Sequence, residues 1–433
     1  MWAFESCFYQ IYPLGLCDAP NENDGIYVNR LGKIEKFIPH LTKLGINAVY
    51  FSPLFQSDNH GYDTRDYANI DCRLGNNEDF KDLCVKFHQN DIKIVLDGVF
   101  NHVGRGFWAF QDVLKNRENS AYRYWFNISF DGNSCYNDGL WYEGWEGHYE
   151  LVKLNLENPE VIDHLLYNVG KWIEDFDIDG LRLDVAYMIN EHFLYRLREF
   201  CNSKKQDFFI VGECIHGDYN RLLKYMDSVT NYECYKGLHS SMNSMNMFEI
   251  AHSLGRQFGS EQWCLYKGTH LMSFVDNHDV SRVYSVLNDK AQIKAIYAML
   301  FAMPGIPCIY YGSEWGQTGE KSHGDNALRP STDPVWNELT DYIAKLIEIK
   351  KASKALNYGD YFNLQIQNKY LVLERKCSDE RVIALINASE EEHQAHFNAN
   401  CGRGTDLFTG DWYDFGGGSK IEQYSVKFIK TEY

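Results

Sequence analysis

The sequence predicts an α/β fold: a (β/α)8 TIM barrel, a small domain inserted after its third strand, and a C-terminal antiparallel β-sandwich. Three observations predict it. Up to about Lys351 short apolar runs alternate with amphipathic stretches, as βα units require. Between Asn101 and Leu156 that alternation breaks into a Trp-, Tyr-, Asn- and Gly-rich stretch without a steady period. After Lys351 the texture changes to short alternating segments parted by glycine-rich turns such as Gly416-Gly417-Gly418. The expected division is a barrel over 1–100 and 157–350, the inserted domain over 101–156 and the sandwich over 351–433. A length of 433 residues accommodates a barrel of ~250 residues plus these additions.

The elements follow in order. Phe8 to Tyr12 reads as the first strand, and Ile34, Ile38, Leu41 and Leu44 then recur at helical spacing. Asn47 to Ser52 is the second strand, and Phe80, Leu83, Cys84 and Phe87 mark the next helix face. Ile92 to Asp97 is the third, apolar and rich in β-branched residues. A long insertion after a barrel strand belongs over the active face, where loops carry function. The alternation resumes with a helix near Val161 to Phe176 and a strand from Gly180 to Val185. Phe208 to Glu213, Leu271 to Val275 and Pro307 to Tyr311 read as further strands. Asp227 to Tyr232 is the least visible strand of the set. Tyr370 to Arg375 and Arg381 to Ile386 are strands of the terminal sandwich.

Composition bounds the function. The net charge is −18. An acidic surface repels nucleic-acid phosphates and anionic membrane faces, and leaves neutral molecules as ligands. The N-terminus carries no basic, apolar leader pattern, and no apolar stretch is long enough to cross a bilayer. Twelve cysteines lie scattered, with no CxxC pair. Free thiols in a cytoplasmic protein fit that pattern better than a disulfide frame. Aromatic residues make up 15% of the chain, and core packing accounts for most of them. The surplus fits a cleft that stacks on the flat faces of sugars.

Polar residues cluster at strand ends. Asp97 closes Ile-Val-Leu-Asp, Arg182 and Asp184 close Gly-Leu-Arg-Leu-Asp, and Glu213 closes Ile-Val-Gly-Glu. His278 and Asp279 follow Phe274-Val-Asp-Asn. In a parallel barrel these C-terminal ends share one mouth. Helix capping explains any single strand-end Asp, but not an acid at each of these ends. Arg182 and Asp184 point to the same face, because strand side chains alternate. An inward Arg beside an inward Asp calls for a polar mouth rather than a hydrophobic layer.

These residues resemble the α-amylase superfamily of glycoside hydrolases. Asp97-Gly-Val-Phe-Asn-His102, Gly180 to Ala186, Val211-Gly-Glu213 and Phe274 to Asp279 resemble its four conserved regions, in family order. Leu151 to Asn155 resembles a motif near the end of the family's inserted domain, and Gly305 to Gly312 its eighth-strand motif. The resemblance covers essentially the whole chain. It implies that Asp184 is the nucleophile, Glu213 the acid/base and Asp279 the stabiliser of a distorted sugar. It implies further that His102, His278 and Arg182 serve the same sugar, and that Tyr62 stacks beneath it. Asp63 would support the sugar or an arginine. Asp325 and Arg329 resemble the pair that binds the non-reducing side; an exposed salt bridge is the competing reading.

Lys153-Leu-Asn155 is similar to the neopullulanase, cyclomaltodextrinase and maltogenic amylase group. That group implies cleavage of α-1,4-glucosidic bonds, and also α-1,6 bonds, in maltooligosaccharides, cyclodextrins and related α-glucans. An oligo-α-1,6-glucosidase, a glucanotransferase and a non-catalytic glucan-binding barrel are the alternatives. The chain starts directly at the first strand, without the N-terminal domain that supports dimers in that group, so a monomer or weak oligomer is expected. Ile215 stands where relatives often place Trp, which predicts weaker acceptor stacking. No cofactor is required. Calcium is the one metal that the resemblance raises, at Asn101. The oxygen-rich loop Asp18 to Asp24 suits such a hard cation, or is simply solvated.

Overall fold

The computed structural model describes residues 1–431. Eight parallel strands form one sheet: β1 (Phe8–Ile11), β2 (Ala48–Phe51), β3 (Lys93–Gly98), β4 (Gly180–Leu183), β5 (Phe209–Gly212), β6 (Ser228–Val229), β7 (Met272–Phe274) and β8 (Ile306–Tyr310). Neighbours run β6-β5-β4-β3-β2-β1-β8-β7. A parallel bridge between Thr230 and Met272 joins the two ends and closes the barrel.

Side-chain alternation divides the barrel residues between two cores. Tyr9, Val49, Phe51, Ile94, Leu96, Leu181, Leu183 and Ile210 face outward into the main core, where the helices pack. Phe8, Ala48, Tyr50, Val95, Phe209, Val211, Met272 and Cys308 face inward as a separate apolar cluster. Two residues further along the same inward rows stand Gln10, Asp97, Arg182 and Glu213, all buried. The barrel interior therefore turns from apolar to polar along one row per strand. The polar end is the mouth.

Helices follow the strands. Phe37–Leu44, Asn77–Gln89, Pro159–Phe176 and Glu191–Lys204 come after the first four. Asn76 caps Asn77–Gln89 through a reciprocal box with Asp79, which satisfies two otherwise unpaired amides. Trp172, on Pro159–Phe176, stacks on Phe55 at 4.2 Å between ring centres and donates its indole N–H to the Tyr67 carbonyl at 2.8 Å.

The insertion is more ordered than its sequence suggests. It holds the helix Trp108–Asn116 and an antiparallel sheet of His102–Gly104, Gly144–Trp145 and His148–Lys153. Aromatic packing sets its period. Phe110 meets Tyr142 and Phe126 edge-on at 5.0 and 5.3 Å. The sixth strand is shorter than Asp227 to Tyr232: it spans Ser228–Val229, Thr230 adds the bridge to Met272, and Asn231 caps a helix beginning at Tyr232.

Six further strands make an antiparallel sheet: β9 (Asp360–Ile366), β10 (Tyr370–Lys376), β11 (Arg381–Asn387), β12 (Arg403–Asp406), β13 (Trp412–Asp414) and β14 (Val426–Thr431). Alternation again splits the faces. Leu371, Leu373, Ala384 and Ile386 join the main core. Tyr370, Val372, Ile383 and Leu385 meet Ala395 and Ile421 of a two-stranded ladder. Two layers of sheet result, as a sandwich requires. No helix among the described residues is long and apolar enough to cross a membrane.

Candidate active site

The site is organised by one buried guanidinium. Arg182 projects from β4 into the mouth with 3% of its side chain exposed. Its Nη1 donates to Asp184 Oδ1 at 2.8 Å and to both oxygens of Asp97 at 3.0 Å. Its Nη2 pairs with Glu213 Oε1 at 2.7 Å. Three carboxyls from three adjacent strands thus share one cation, and Asp184 and Glu213 sit on its two separate nitrogens.

Local backbone explains the placement. Val185, directly after Asp184, is left-handed at φ 37°, a strained setting for a β-branched residue. This turn aims the Val185 N–H at Glu213 Oε2, 3.0 Å away. A Cβ on Gly212 would overlap Met226 and Ala186, so the residue before Glu213 must be glycine for β5 to approach that turn.

The remaining partners come from distant strands. Asp97 Oδ2 accepts from the hydroxyls of Tyr50 at 3.1 Å and Tyr62 at 3.2 Å. Tyr62 stacks on the ring of His278 at 5.5 Å, and its hydroxyl meets His278 Nε2 in a short hydrogen bond. The Gln10 amide donates to His278 Nδ1 at 2.7 Å. That bond leaves the proton on Nε2, which faces Asp279 Oδ2 at 3.0 Å. Arg329 Nη2 donates to Asp279 Oδ1 at 2.9 Å, and its Nε donates to the His278 carbonyl at 3.1 Å. Asp279 is the most open of the carboxyls, with 38% of its side chain exposed. Asp184 and Glu213 reach the mouth through smaller windows, at 8% and 5%.

Electrostatics separate the acids. Burial pushes up the carboxyls of Asp97, Asp184 and Glu213, and Arg182 opposes it in each case. Asp97 rises to about 7. One cation facing three buried carboxyls favours a proton held within the cluster near neutrality. Burial acts on Asp279 too, but His278, Arg329 and Arg182 together outweigh it and hold that carboxyl below its usual range. Burial also lowers His102 to about 3, so its ring is neutral. The Asn101 amide meets His102 Nδ1 at 3.2 Å. His102 Nε2 is buried without a partner, 3.9 Å from Asp184 Oδ2, and is free for a substrate oxygen.

The structure brings Arg182, Asp184, Glu213, Asp279, His102, His278, Tyr62 and Arg329 together. The Asp63 carboxylate lies one layer below the mouth, where its charge acts on the buried Arg73. It is buried under the loop, accepting from Asn59 Nδ2 and from the amides of His60 and Gly61, so it shapes the turn that presents Tyr62. Asp325 lies at the outer edge, 3.3 Å from Arg329 and paired with Lys321 at 2.5 Å. Beside it a cavity of about 360 Å³ is lined by Tyr12, Asn21, His60, Asp325 and Arg329. Ile215 packs against the apolar barrel interior. Gln10, Tyr12, Tyr50, Tyr232 and Asn277 escape sequence reasoning, because their partners lie far away in the chain.

The Asn101 side-chain nitrogen engages His102, and the neighbouring cavity wall combines Asn155, Glu157 and Glu191 with Lys153 and Arg221, whose charges pair with Glu143 and Glu191. In the loop Asp18 to Asp24, Asn23 and Asp24 spend oxygens on the amides of Gly25 and Ile26. Among the described residues no three His, Cys, Asp or Glu side chains converge as metal ligands.

Comparison with known proteins matches this arrangement. The family model described as alpha amylase, catalytic domain, matches residues 10–356. A cyclomaltodextrinase of Thermoanaerobacter pseudethanolicus is 32% identical over 437 residues, covering 92% of this chain and 72% of that protein. A solved structure of a cyclomaltodextrinase superposes with a TM-score of 0.86 at 27% identity, covering 99% of this chain and 78% of the other. A cyclic α-maltosyl-(1→6)-maltose hydrolase from Arthrobacter globiformis, solved with its cyclic tetrasaccharide, gives a TM-score of 0.83 at 28% identity and covers 99% of both chains.

Proposed function

The chain belongs to the α-amylase family, and from that premise we propose that it is a retaining hydrolase of α-1,4-glucosidic bonds, and also α-1,6 bonds, in maltooligosaccharides and cyclodextrins. One observation carries the reading: Asp184 and Glu213 flank a single guanidinium at the open end of the barrel. Retaining glycosidases need two carboxyls ~5–5.5 Å apart, one to attack and one to exchange a proton.

In this reading Asp184 attacks the anomeric carbon while Glu213 donates its proton to the departing oxygen. A β-glycosyl ester forms on Asp184 and the sugar acceptor leaves. Glu213, now a carboxylate, takes a proton from water, which attacks the anomeric carbon, breaks its bond to Asp184 and frees that carboxylate with the α configuration restored. Arg182 favours the ionised Asp184 carboxylate before the first step and on its release in the second. Asp279, held ionised by its neighbours, binds hydroxyls of the reacting sugar. The unpaired His102 Nε2 offers that sugar a further donor.

The twelve free cysteines support a cytoplasmic setting. Panose and pullulan belong in the substrate panel because a solved relative is named for a ring containing a 1→6 bond. The test is the product profile on maltotriose, panose, pullulan and β-cyclodextrin, with the first anomer followed by NMR. Release of α-anomeric glucose or maltose is expected. A β-anomer as first product would overturn retention, and inertness on the whole panel would overturn the hydrolase reading.

A further inference from the structure

Glu213 has a third donor that belongs to neither the nucleophile nor the arginine. The phenol of Tyr232, at the first turn after β6, lies 3.1 Å from Glu213 Oε1. The ring is buried and packed edge-on against Phe274 at 5.0 Å, so the hydroxyl has little freedom to leave.

The direction of this hydrogen bond can be worked out. The Asp279 backbone N–H reaches Asn277 Oδ1 at 2.8 Å. An amide N–H only donates, so this contact places oxygen there and nitrogen on the other side. That nitrogen, Asn277 Nδ2, then donates to the Tyr232 hydroxyl at 3.1 Å. With its oxygen occupied as an acceptor, Tyr232 turns its own proton toward Glu213. One chain of hydrogen bonds thus runs from the loop after β7, through the turn after β6, to the end of β5.

We propose that Tyr232 is a positioning residue for Glu213 that answers its proton: the phenol donates to the carboxylate and, when Glu213 is protonated, can turn its hydroxyl to accept. Arg182 and the Val185 N–H can do only the first, having no lone pair to offer. Tyr232 is the neighbour able to serve both halves of an acid/base cycle. Glu213 also faces the charges of Arg182, Asp184 and Asp279, and lies near Asp97, Tyr50 and Tyr187. Burial raises it and Arg182 opposes that rise. The phenol trims the rise further while leaving the acid form a partner. The proposal rests on Glu213 being the acid/base.

The test is the pH dependence of kcat/KM for maltotriose in the full chain and in Tyr232→Phe. A bond to a carboxylate is worth more than one to a neutral acid, so its loss favours the protonated form. The alkaline limb, where Glu213 loses its proton, should move up by about 0.5–1 pH unit. The acid limb should stay in place. Asn277→Ala, which removes the donor orienting the phenol, should move the same limb the same way by less. A uniform loss at every pH with both limbs unmoved, in a variant whose circular dichroism matches the parent, would overturn the proposal. Inertness of the unmodified chain on maltotriose and cyclodextrin would instead remove the hydrolase reading, and this inference with it.

Discussion

Replacing Glu213 by glutamine keeps the volume and removes both the proton and the charge. The structure sets the consequences. Oε1 accepts from Tyr232 and forms an ion pair with Arg182, and Oε2 accepts from the Val185 N–H. The amide nitrogen of Gln must face either Arg182 or Val185, and both are donors only. One buried donor therefore loses its partner whichever way the amide turns, at a cost of about 1–3 kcal/mol in stability. The chemical loss is larger. Without a general acid, kcat on maltotriose should fall at least ~10³-fold, or about 4 kcal/mol of barrier. A p-nitrophenyl maltoside carries a leaving group that needs little protonation, so the glycosyl-enzyme still forms. It then stalls for want of a base. Azide needs no base, and should restore turnover and yield an α-glycosyl azide. The assay is steady-state release of nitrophenol with and without azide, with the product configuration read by NMR. Activity on maltotriose within tenfold of the parent, or no rescue by azide, would refute the acid/base role.

Asp184→Asn should lose at least ~10³-fold in kcat on both maltotriose and the nitrophenyl glycoside, since a missing nucleophile is indifferent to the leaving group; rates on the two substrates check it. Asp179, buried between β3 and β4, accepts from His88 and the Ile94 amide at 3.0 Å and pairs with Lys93 and Lys205 at 3.0 Å. Burial raises this carboxyl, but those partners outweigh it and hold it low. A depressed carboxyl stabilises the fold above its unfolded value of about 3.9, and that contribution is lost as pH falls below it. Asp179→Asn should therefore be less stable than the parent at pH 7, with the gap narrowing below about pH 4; urea unfolding at the two values reads it. Trp172→Ala removes a stacked, fully buried ring and should cost about 3–5 kcal/mol, seen as a lower urea midpoint.

Much of the architecture was legible because parallel barrel strands are buried on both faces. Ile94-Val95-Leu96 and Ile210-Val211 announce themselves as apolar runs, and an acid at the end of such a run is conspicuous. The sixth strand was not legible in the same way. Two extended residues, Ser228 and Val229, carry no period, so the adjoining Tyr232 had no frame that would place it at the mouth. Family resemblance gives Asp63 as a partner of the sugar or of an arginine, and its charge does act on the buried Arg73. Its contacts with Asn59, His60 and Gly61, which tie it to the turn as well, are visible only in three dimensions.

By itself, the order of residues determined most of the barrel strands, which of their side chains share the inner face, and which acids stand at their upper ends. These are local properties, governed by alternation and by the exclusion of water from apolar runs. Tertiary structure alone decided that Arg182 spans Asp97, Asp184 and Glu213, and that Gln10 selects the tautomer of a histidine 268 residues away. Those contacts depend on how the sheet closes and on ångström-scale approach between distant strands. Hydrogen-bond direction and charge sharing vary steeply over such distances, and no local pattern in the chain encodes them.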